Sequence, residues 1–456
     1  MTHSLMSGIE TPETKAAARP VPRDGLYAWY VTILLTVAYA VAFVDRQILN
    51  LLVEPIKGQF TLSDTQISLL QGLSFTLAYV LMGPLFGRWT DIGNRRTIIW
   101  TGVTIWSVFT IFCGLSQTYW QLFGARMGVG GAEACLMPAA WSLLSDYFSK
   151  DKLPRAMSIF LMGPYLGGGL ALIFGGLVIQ QLGHVGPVDA GPFGLLAPWH
   201  LAFIVVGLPG LLLAALMLTV REPPRAKVAG RAEQERFTLA QIWQFLSERR
   251  AFYGAFYGGM SLHVIALYAF PAWIPSFLIR HYGVSMASVG LEYGASVLIA
   301  GSLGVWCGPY VAKFLAARGY VDAAFRTPAL TTLGVVPFAV LLPFCPTYEL
   351  ALAAAVGVTF FYTLPMAMAA SSIQMVTPNR MRGVVSSLYV FTVSIVGLGL
   401  APTFIALITD RLFGDPGMVG WSLALVCSVS SIGASILMLR GLGAFRAALA
   451  EGENAK

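Results

Sequence analysis

The stretch that decides the fold is WYVTILLTVAYAVAFV, from Trp29 to Val44, followed at once by Asp45 and Arg46. Its sixteen residues carry no charge, and the apolar pattern resumes beyond Arg46. Because a helix rises about 1.5 Å per residue, a helix that enters a bilayer near Ala28 carries Asp45 about 25 Å along its axis. Ionised groups at that depth are costly and face a protein interior or a water-filled path. The alternative is a helix that ends at Val44 and leaves Asp45 in water.

The composition of the whole chain points to lipid as its solvent. Of its 456 residues, 56% are hydrophobic and only 11% are charged. A soluble domain carries about 25% charged residues, so this chain lacks the charge to cover a water-facing surface. A membrane span needs about 20 mostly apolar residues. Twelve stretches meet this need, and we number them spans 1 to 12: 28–53, 66–86, 97–116, 119–145, 155–181, 199–220, 251–279, 286–316, 326–344, 347–376, 383–410 and 419–440.

The distribution of basic residues predicts the topology. An even number of spans places both termini on one side of the membrane. Of the 29 Lys and Arg residues, 24 lie on the side of the termini, three lie on the opposite side and two lie inside spans. Basic loops stay in the cytoplasm, so we expect a multi-pass protein of the inner (plasma) membrane with both termini cytoplasmic. The net charge of +7 then reflects topology and not a nucleic-acid partner.

The longest polar insert divides the spans into two groups of six. We therefore expect five parts: a disordered cytoplasmic tail (1–27), an N-terminal bundle (28–220), a linker (221–250), a C-terminal bundle (251–440) and a second tail (441–456). The halves also resemble each other, since Pro138 to Arg155 and Pro365 to Arg382 are both separations of 17 residues. Repeated halves are typical of secondary transporters whose substrate site lies between them.

The linker contains a predicted amphipathic helix. Thr238 and Gln241 have the spacing of a capping box. Apolar residues then follow at helical intervals: Leu239, Ile242, Trp243 and Leu246. A helix of this kind lies on a membrane surface. A linker helix packed against the protein is the alternative.

The loop after span 2 carries a recognisable motif, GRWTDIGNRR. It resembles the 2–3 loop signature of the major facilitator superfamily, although Ile92 and Asn94 depart from the pattern. The matching positions are Gly87, Asp91, Arg95 and Arg96. The resemblance implies an all-α membrane protein of twelve helices in two pseudo-symmetric six-helix bundles. It also implies a latch that holds the outward-facing state, in which Asp91 meets the start of span 11 near Arg382, because a helix N-terminus favours negative charge. An ordinary charged turn is the alternative.

Span 5 contains a second motif, Gly163-Pro164-x-x-Gly167-Gly168. It resembles the antiporter signature of the same superfamily, but Ile159 stands where that signature begins with glycine. Small residues also let two helices approach closely whatever the transport mode. Antiport and plain helix packing therefore both remain open.

Span 4 carries two charges, Arg126 and Glu133, which lie seven residues apart and so on one face of a helix. Spans 1 and 4 line the cavity in the superfamily, so the resemblance implies a buried cluster of these two residues with Asp45 and Arg46. Acid chains of this kind serve as proton relays. Burial favours a neutral acid and a nearby arginine favours the carboxylate, so protonation would free the arginine to hold an anionic substrate. A static set of ion pairs is the alternative.

The run Phe43-Val-Asp-Arg-Gln47, together with the span 4 charges, is similar to the Spinster-like branch of the superfamily. Members of that branch move sphingosine-1-phosphate or lysophospholipids. The resemblance implies that Asp45 and Glu133 are the proton-linked acids, and that Arg46 and Arg126 pair with them or with a phosphate head group. It predicts a proton-coupled transporter of an amphiphilic anionic lipid that works by alternating access. A drug or small organic anion exporter of the same fold is the alternative.

Spans 7 and 10 offer an apolar and aromatic wall for the opposite side of the cavity. The candidates are His263, Tyr268, Phe270, Phe360 and Tyr362. Ordinary helix packing is the alternative for each, and His263 also fits a hydrogen-bonded position in the core.

Motifs of enzymes and of ATP-driven pumps are missing from the sequence, which has no HExxH, nucleophile elbow or Walker A segment. We therefore expect a transporter and not an enzyme, with no metal and no cofactor, driven by a proton gradient. The expected partners are an amphiphilic lipid-like substrate, protons and the bilayer, with the chain acting as a monomer.

Overall fold

A computed structural model describes residues 24–149, 151–184, 186–223, 239–378 and 381–454. This part is almost entirely helical, and its only strands are a short antiparallel pair, Val188–Asp189 and Leu195–Leu196. Eleven of its helices are long and apolar enough to cross a membrane. Span 4 is the twelfth and consists of two shorter helices in succession. The prediction of an all-α membrane protein with twelve spans is therefore confirmed.

The N-terminal half contains spans 1 to 6. Their bounds are Leu26–Leu51, Asp64–Ile92, Arg95–Cys113, Tyr119–Glu133 with Leu136–Tyr147, Leu153–Phe160 with Gly163–Gly183, and Pro198–Met217. A short helix, Val53–Phe60, joins spans 1 and 2. Span 2 changes to π-helical geometry over Leu69–Leu73.

The C-terminal half contains spans 7 to 12. Their bounds are Arg250–Tyr282, Met286–Ala317, Ala323–Phe344, Tyr348–Thr363 with Met366–Val376, Arg382–Phe413, and Pro416–Met418 with Val419–Asn454. Span 11 is π-helical over Ser394–Leu400 and again over Ile408–Phe413. The last helix runs on through 441–454, which we expected to be a tail, because Leu442 and Phe445 pack into the core of this half.

The breaks in spans 4 and 10 repeat the internal symmetry seen in the sequence. The helix of span 4 is interrupted at Ala134 and Cys135, and that of span 10 at Leu364 and Pro365. Pro138 follows the first break, and a proline removes the hydrogen bond to the carbonyl four residues before it, which is that of Ala134. Glu133 is thus the last residue of its helix segment and lies beside the break.

The two halves pack together at the face of the bundle opposite the termini, which we call the far face. There Arg280 of span 7 donates to both oxygens of Asp64, at 2.7 and 2.8 Å, and to Glu54 at 2.8 Å. Asp410 of span 11 accepts from the backbone N–H and the hydroxyl of Thr65, at 2.7 and 2.6 Å. Both sets of contacts join one half to the other.

At the face that carries the termini, the terminal face, spans 2 and 11 lie open. Span 2 is buried around Phe75 and Thr76, but its side chains are exposed or half-exposed from Leu77 to Trp89. Span 11 likewise is exposed over most of 382–391, and most of its buried residues lie from Gly397 to Thr409, where they alternate with exposed or half-exposed ones. The halves therefore enclose a cleft that is open at the terminal face and shut at the far face.

Spans 5 and 8 form a seam between the halves along which backbones touch. A Cβ on Gly290 would lie 2.5 Å from the carbonyl oxygen of Leu172 and 2.9 Å from Cα of Gly176. Two glycines of the span 5 motif serve a similar end, because a Cβ on Gly167 would lie 2.2 Å from the carbonyl oxygen of Ala40 in span 1, and one on Gly163 would lie 2.8 Å from Cβ of Tyr39. The third, Gly168, has nothing within 4 Å of that position. Close helix packing thus accounts for Gly163 and Gly167 in the motif.

The linker helix, Leu239–Glu248, packs against the C-terminal half. Ile242 is buried, and Phe245 and Leu246 contact the aromatic core at the terminal face, whereas Trp243 is 74% exposed. The buried face of the helix therefore includes Phe245, whereas Trp243, which the sequence pattern placed on the apolar face, points outward. Contacts with the rest of the protein set this orientation. Thr238, the proposed cap, lies outside the described residues.

Candidate functional site

Asp45 lies inside the helix of span 1, which continues past it to Leu51. The alternative that this helix ends at Val44 is therefore wrong. The side chain is 1% exposed. Its Oδ2 accepts a hydrogen bond of 3.1 Å from the hydroxyl of Thr110 in span 3, whereas its Oδ1 has no partner among the described residues. This arrangement leaves one carboxyl oxygen free to carry a proton.

Arg46 forms an ion pair with Glu133 and not with its neighbour Asp45. Its Nε and Nη2 lie 2.6 and 2.5 Å from Oε2 of Glu133, whose Oε1 is unpartnered within the described part of the chain. The guanidinium carbon also lies 4.4 Å from the ring centroid of Phe75, close enough for a cation–π contact. The side chain of Arg46 remains 11% exposed, whereas that of Glu133 is fully buried. The pair thus lies at the boundary between the core and the cleft.

Arg126 is a buried cation without an ion pair to any described carboxylate. It is 1% exposed, and its Nη1 donates a 2.9 Å hydrogen bond to the backbone carbonyl of Asp45. Its Nε has no partner among the described atoms. Its guanidinium lies 5.7 Å from the ring centroid of Phe75. A buried charge that lacks an opposite charge costs several kcal/mol, so an anion placed here would be bound favourably.

These charges adjoin a small recess between the two halves, with a water-accessible volume of about 30 Å³. Five elements contribute its lining: Phe43, Arg46, Gln47, Asn50, Gln71, Phe75, Arg126, Tyr268, Ala272, Leu398 and Pro402. No Asp or Glu is among them, and no group of His, Cys, Asp and Glu in the described part of the chain is arranged to hold a metal ion. The recess therefore offers donors to an anion.

Two π-helical segments, one from each half, touch beside the recess. Gly72 lies in the π-helical segment of span 2, and Gly399 lies in that of span 11. A Cβ on Gly72 would lie 2.5 Å from the carbonyl oxygen of Gly399, so no side chain fits there. π-Helical turns are frequent at functional sites. This contact joins the halves next to Gln71 and Leu398, which line the recess.

The candidates on spans 7 and 10 divide between the recess and the core. Tyr268 lines the recess. His263 is fully buried and bonds to the Thr332 hydroxyl at 2.7 Å and the Tyr362 carbonyl at 2.9 Å, which is the hydrogen-bonded core position considered above. Phe270 is fully buried and packs on Tyr362. The last candidate, Phe360, is half-buried against Phe361. In this conformation only Tyr268 of the five lies at the recess.

The basic residues of the 2–3 loop motif brace the N-terminal half. Arg95 is buried and forms ion pairs with Asp146 of span 4 and, at 2.7 Å, with Glu222 after span 6. The backbone N–H of Arg96 donates to the other oxygen of Glu222 at 3.0 Å, and its side chain donates to the Leu218 carbonyl at 2.7 Å. These contacts tie spans 3, 4 and 6 together within one half.

The other latch residues are apart in this conformation. Asp91 is exposed, and Gly87 has open space where a side chain would begin. Arg382 donates from its Nε to the Thr377 carbonyl at 3.0 Å. An open terminal face separates the ends of spans 2 and 11, and no hydrogen bond or ion pair among the described residues joins Asp91 to span 11.

Sequence reasoning missed the amides at the recess, Gln71 and Asn50. Gln71 is 6% exposed and donates to the Asn50 carbonyl oxygen at 3.2 Å and to the backbone carbonyl of Ala272 at 2.9 Å. The signal was available, because both amides stand inside apolar runs where polar groups are expensive. Restricting the search to ionisable residues left them out.

Comparisons with known proteins agree with this architecture. Residues 35–402 match the model of the Major Facilitator Superfamily. An MFS-type efflux pump of Mycolicibacterium smegmatis is 27% identical over 92% of each chain. Protein spinster homolog 1 of Mus musculus is 25% identical over 89% of this chain and 77% of its own. The sphingosine-1-phosphate transporter SPNS2 of Danio rerio is 26% identical over 60% of this chain and 55% of its own.

A solved structure extends the likeness to nearly the whole fold. It is that of a bacterial homologue of the human lysosomal transporter Spinster, in an inward-facing and unoccupied conformation. The TM-score is 0.76 at 25% identity, with 93% of this chain and 97% of that chain covered. The family model spans most of the sequence, and relatives and fold point the same way. The chain is therefore a membrane transporter and not an enzyme; it is similar to the Spinster proteins and belongs to the Major Facilitator Superfamily.

Proposed function

We propose that this protein is a proton-coupled transporter of an amphiphilic anionic lipid, such as a lysophospholipid or sphingosine-1-phosphate, that works by alternating access. The observation that carries the proposal is the buried guanidinium of Arg126, which has no ion pair among the described residues and lines the recess between the halves. A phosphate is a strong partner for an arginine, because the planar donor fork matches its oxygens.

The walls of the cleft suit the apolar part of such a substrate. The terminal halves of spans 2 and 11 carry many exposed apolar side chains, among them Leu81, Leu85, Val384, Leu388 and Phe391. Burying a lipid tail against them is favourable at about 25 cal/mol per Å² of apolar surface removed from water. A charged recess with apolar walls therefore fits a molecule with an anionic head and a tail.

The way Glu133 holds Arg46 supports the proposal of proton coupling. With Glu133 ionised, two nitrogens of Arg46 are held on one of its oxygens. Protonation removes the negative charge and weakens the pair, which frees Arg46 to turn toward a substrate anion at the recess. The free oxygens of Glu133 and Asp45 provide places for the proton without breaking another hydrogen bond.

Uptake into proteoliposomes tests this proposal. A labelled lysophospholipid and sphingosine-1-phosphate are offered with and without a pH gradient to the wild type and to Glu133→Gln. One pH unit supplies a driving force worth about tenfold in accumulation for each proton moved. We expect this increase in lipid accumulation in the wild type. Glu133→Gln should lose it, because the glutamine amide cannot bind and release the proton. Glu292→Gln, at an exposed carboxylate of span 8, is the matched control and should keep the gain. Gradient-driven uptake retained in Glu133→Gln would count against the proton role.

The runner-up is an exporter of drugs or small organic anions. The similarity to the Mycolicibacterium smegmatis efflux pump, which covers 92% of each chain, favours it. Transport of a small tail-less organic anion, with neither lipid transported, would select this alternative.

We further propose that Asp91 closes the terminal face in the opposite state by meeting the start of span 11 near Arg382. Asp91→Asn should then disfavour the state open at the far face. A carboxylate at a helix N-terminus contributes about 0.3–1 kcal/mol, so we expect a population shift of about two- to fivefold. The measurement is thiol labelling of Leu388→Cys, at the terminal cleft, in a background without the five native cysteines. Asp151→Asn, an exposed acid at the same face, is the control. Unchanged labelling in Asp91→Asn would refute the latch.

The charge distribution supports a proposal for the membrane and the orientation of the protein. We propose that the terminal face is cytoplasmic, in a plasma or inner membrane, because most Lys and Arg residues lie on that side. The cleft described above would then face the cytoplasm. We also propose that the chain works as a monomer, with protons and an amphiphile as its partners and no cofactor.

A further inference from the structure

We propose that Gln71, with Asn50 and Gln47, forms an uncharged hydrogen-bonding subsite that selects amphiphilic phosphates with a hydroxyl or an ammonium group close to the phosphate. This inference rests on the proposed function and narrows its substrate class. A bare anion attached to a tail would use the arginines alone. A substrate with a hydrogen-bond donor near its phosphate would use the arginines and the amides together.

The amides form a chain that crosses from one half of the protein to the other. Asn50 donates to the Gln47 side-chain oxygen, and Gln71 donates to the Asn50 side-chain oxygen at 3.2 Å. The same Gln71 nitrogen donates to the Ala272 carbonyl of span 7 at 2.9 Å. Both hydrogens of the Gln71 amide are thereby used. Its Oε1 is left as a buried acceptor without a partner among the described residues.

An unpartnered donor borders the same recess. Arg126 Nε is buried and unpartnered in the described structure, and both Arg126 and Gln71 line the recess. Buried polar groups are nearly always hydrogen-bonded, so we expect a bound group that pairs with both Arg126 Nε and Gln71 Oε1. The occupant must accept a hydrogen bond from a guanidinium and donate one to an amide oxygen. A phosphate ester with a neighbouring hydroxyl or ammonium does both.

The size of the recess indicates where the hydrogen-bond donor and the phosphate of the substrate would each bind. Its water-accessible volume of about 30 Å³ suits one water molecule or one hydroxyl, and a phosphate is larger. The donor group therefore belongs in the recess beside Gln71. The phosphate belongs next to it, between Arg126 and Arg46, on the side of the cleft where Arg46 is still partly exposed. No carboxylate lines the recess, so selection there depends on hydrogen bonding to a neutral acceptor.

A purely structural role would make Gln71 a bridge from span 2 to the backbone of span 7. Such a bridge uses only the amide nitrogen and gives no reason for an acceptor left without a partner. Gln71 also lies in the π-helical segment of span 2, next to the contact of Gly72 with Gly399 in span 11. A group bound to its oxygen would thus act at the point where the two halves meet.

The test compares two amphiphilic phosphates that differ in one donor. Lysophosphatidic acid carries a glycerol hydroxyl near its phosphate, and octadecyl phosphate carries none. Uptake of each into proteoliposomes is measured for the wild type, for Gln71→Met and for Ser74→Ala. Ser74 is a buried polar residue of span 2 outside the recess and serves as the matched control.

We expect the wild type and Ser74→Ala to prefer lysophosphatidic acid by about 5- to 10-fold, the range of one satisfied hydrogen bond. Gln71→Met should bring that ratio close to one by lowering uptake of lysophosphatidic acid alone. Asn50→Leu, which leaves the Ala272 contact in place, should lower the ratio in the same direction and replaces Gln71→Met if that variant does not fold.

Two results overturn the subsite and leave the proposed function standing. One is equal uptake of both phosphates by the wild type. The other is a loss in Gln71→Met that is the same factor for both phosphates, which is the behaviour of a structural bridge. Failure of the wild type to take up either phosphate would instead reject the proposed function, and the subsite with it.

Discussion

Arg126→Ala is expected to reduce uptake of an anionic lysophospholipid by about 10- to 150-fold. A hydrogen bond to a charged group contributes about 1.5–3 kcal/mol, and Arg126 is the buried cation that we expect to meet the phosphate. Uptake of a neutral monoacylglycerol with the same tail should fall much less, because that molecule carries no charge for Arg126 to bind. The measurement is competitive uptake of the two amphiphiles into proteoliposomes.

A second variant at Arg126 separates the effect of its charge from that of its shape, and a variant at an exposed arginine serves as the control. Arg126→Lys keeps the positive charge but loses the planar donor fork, so we expect an intermediate loss. Arg318→Ala, at an exposed arginine after span 8, should leave the uptake of both amphiphiles unchanged. Arg126→Ala also leaves the Asp45 carbonyl without its donor, and thermal unfolding of the purified variant reports that cost separately. Equal losses for the anionic and the neutral amphiphile would show that Arg126 is structural.

The charged cluster illustrates how far the sequence alone reaches. Charges inside apolar runs must be buried together, and the resemblance of spans 1 and 4 to cavity-lining helices brought all four into one group. The sequence did not determine which acid in the group pairs with which arginine. Residues i and i+1 of a helix do not face each other, so Arg46 points away from Asp45, and the distance across the bundle gives it Glu133.

Other features depend on contacts that no local pattern encodes. In the sequence, the spacing of Pro138 only relates the two halves, and span 4 is predicted as one stretch; the break beside Glu133 appears in the structure, where Pro138 leaves the Ala134 carbonyl without its helical donor. The π-helical segments around Gly72 and Gly399 arise where two helices from different halves touch, which a single segment does not reveal. The position of Asp91 depends on the conformation as a whole, so its sequence motif predicts a contact that this state does not contain.

The acidic and basic residues of the far face suggest a counterpart to the Asp91 latch. In that latch, an acid at the end of span 2 is expected to meet the start of span 11. At the far face, Asp410 near the end of span 11 accepts two hydrogen bonds from Thr65 at the start of span 2. At the far face, an acid at the end of span 11 thus meets the start of span 2, which is the predicted latch with the roles of the two spans exchanged. Arg280 reinforces this contact through its ion pairs with Asp64 and Glu54 of the other half.

Arg280→Ala combined with Asp410→Asn is therefore expected to open the far face. Breaking a fully buried ion pair costs about 3–5 kcal/mol, and the partial exposure of Arg280 and Glu54 reduces this to roughly 1–2 kcal/mol, or about 5- to 30-fold in population. Ser68→Cys reports the opening, because Ser68 is fully buried and contacts Thr403 of the other half at 3.2 Å. Its labelling by a membrane-impermeant thiol reagent, without the native cysteines, should accelerate by a similar factor.

A control variant and the addition of Asp91→Asn test whether this effect is specific to the far-face contacts. Arg411→Ala removes an exposed arginine at the same face and should leave the labelling of Ser68→Cys unchanged. Adding Asp91→Asn should partly reverse the acceleration, because each set of contacts stabilises a different state, and effects at sites this far apart usually add. Labelling that stays slow in the Arg280→Ala, Asp410→Asn variant would mean that the Gly72 contact and the seam of spans 5 and 8 close the far face without these polar contacts.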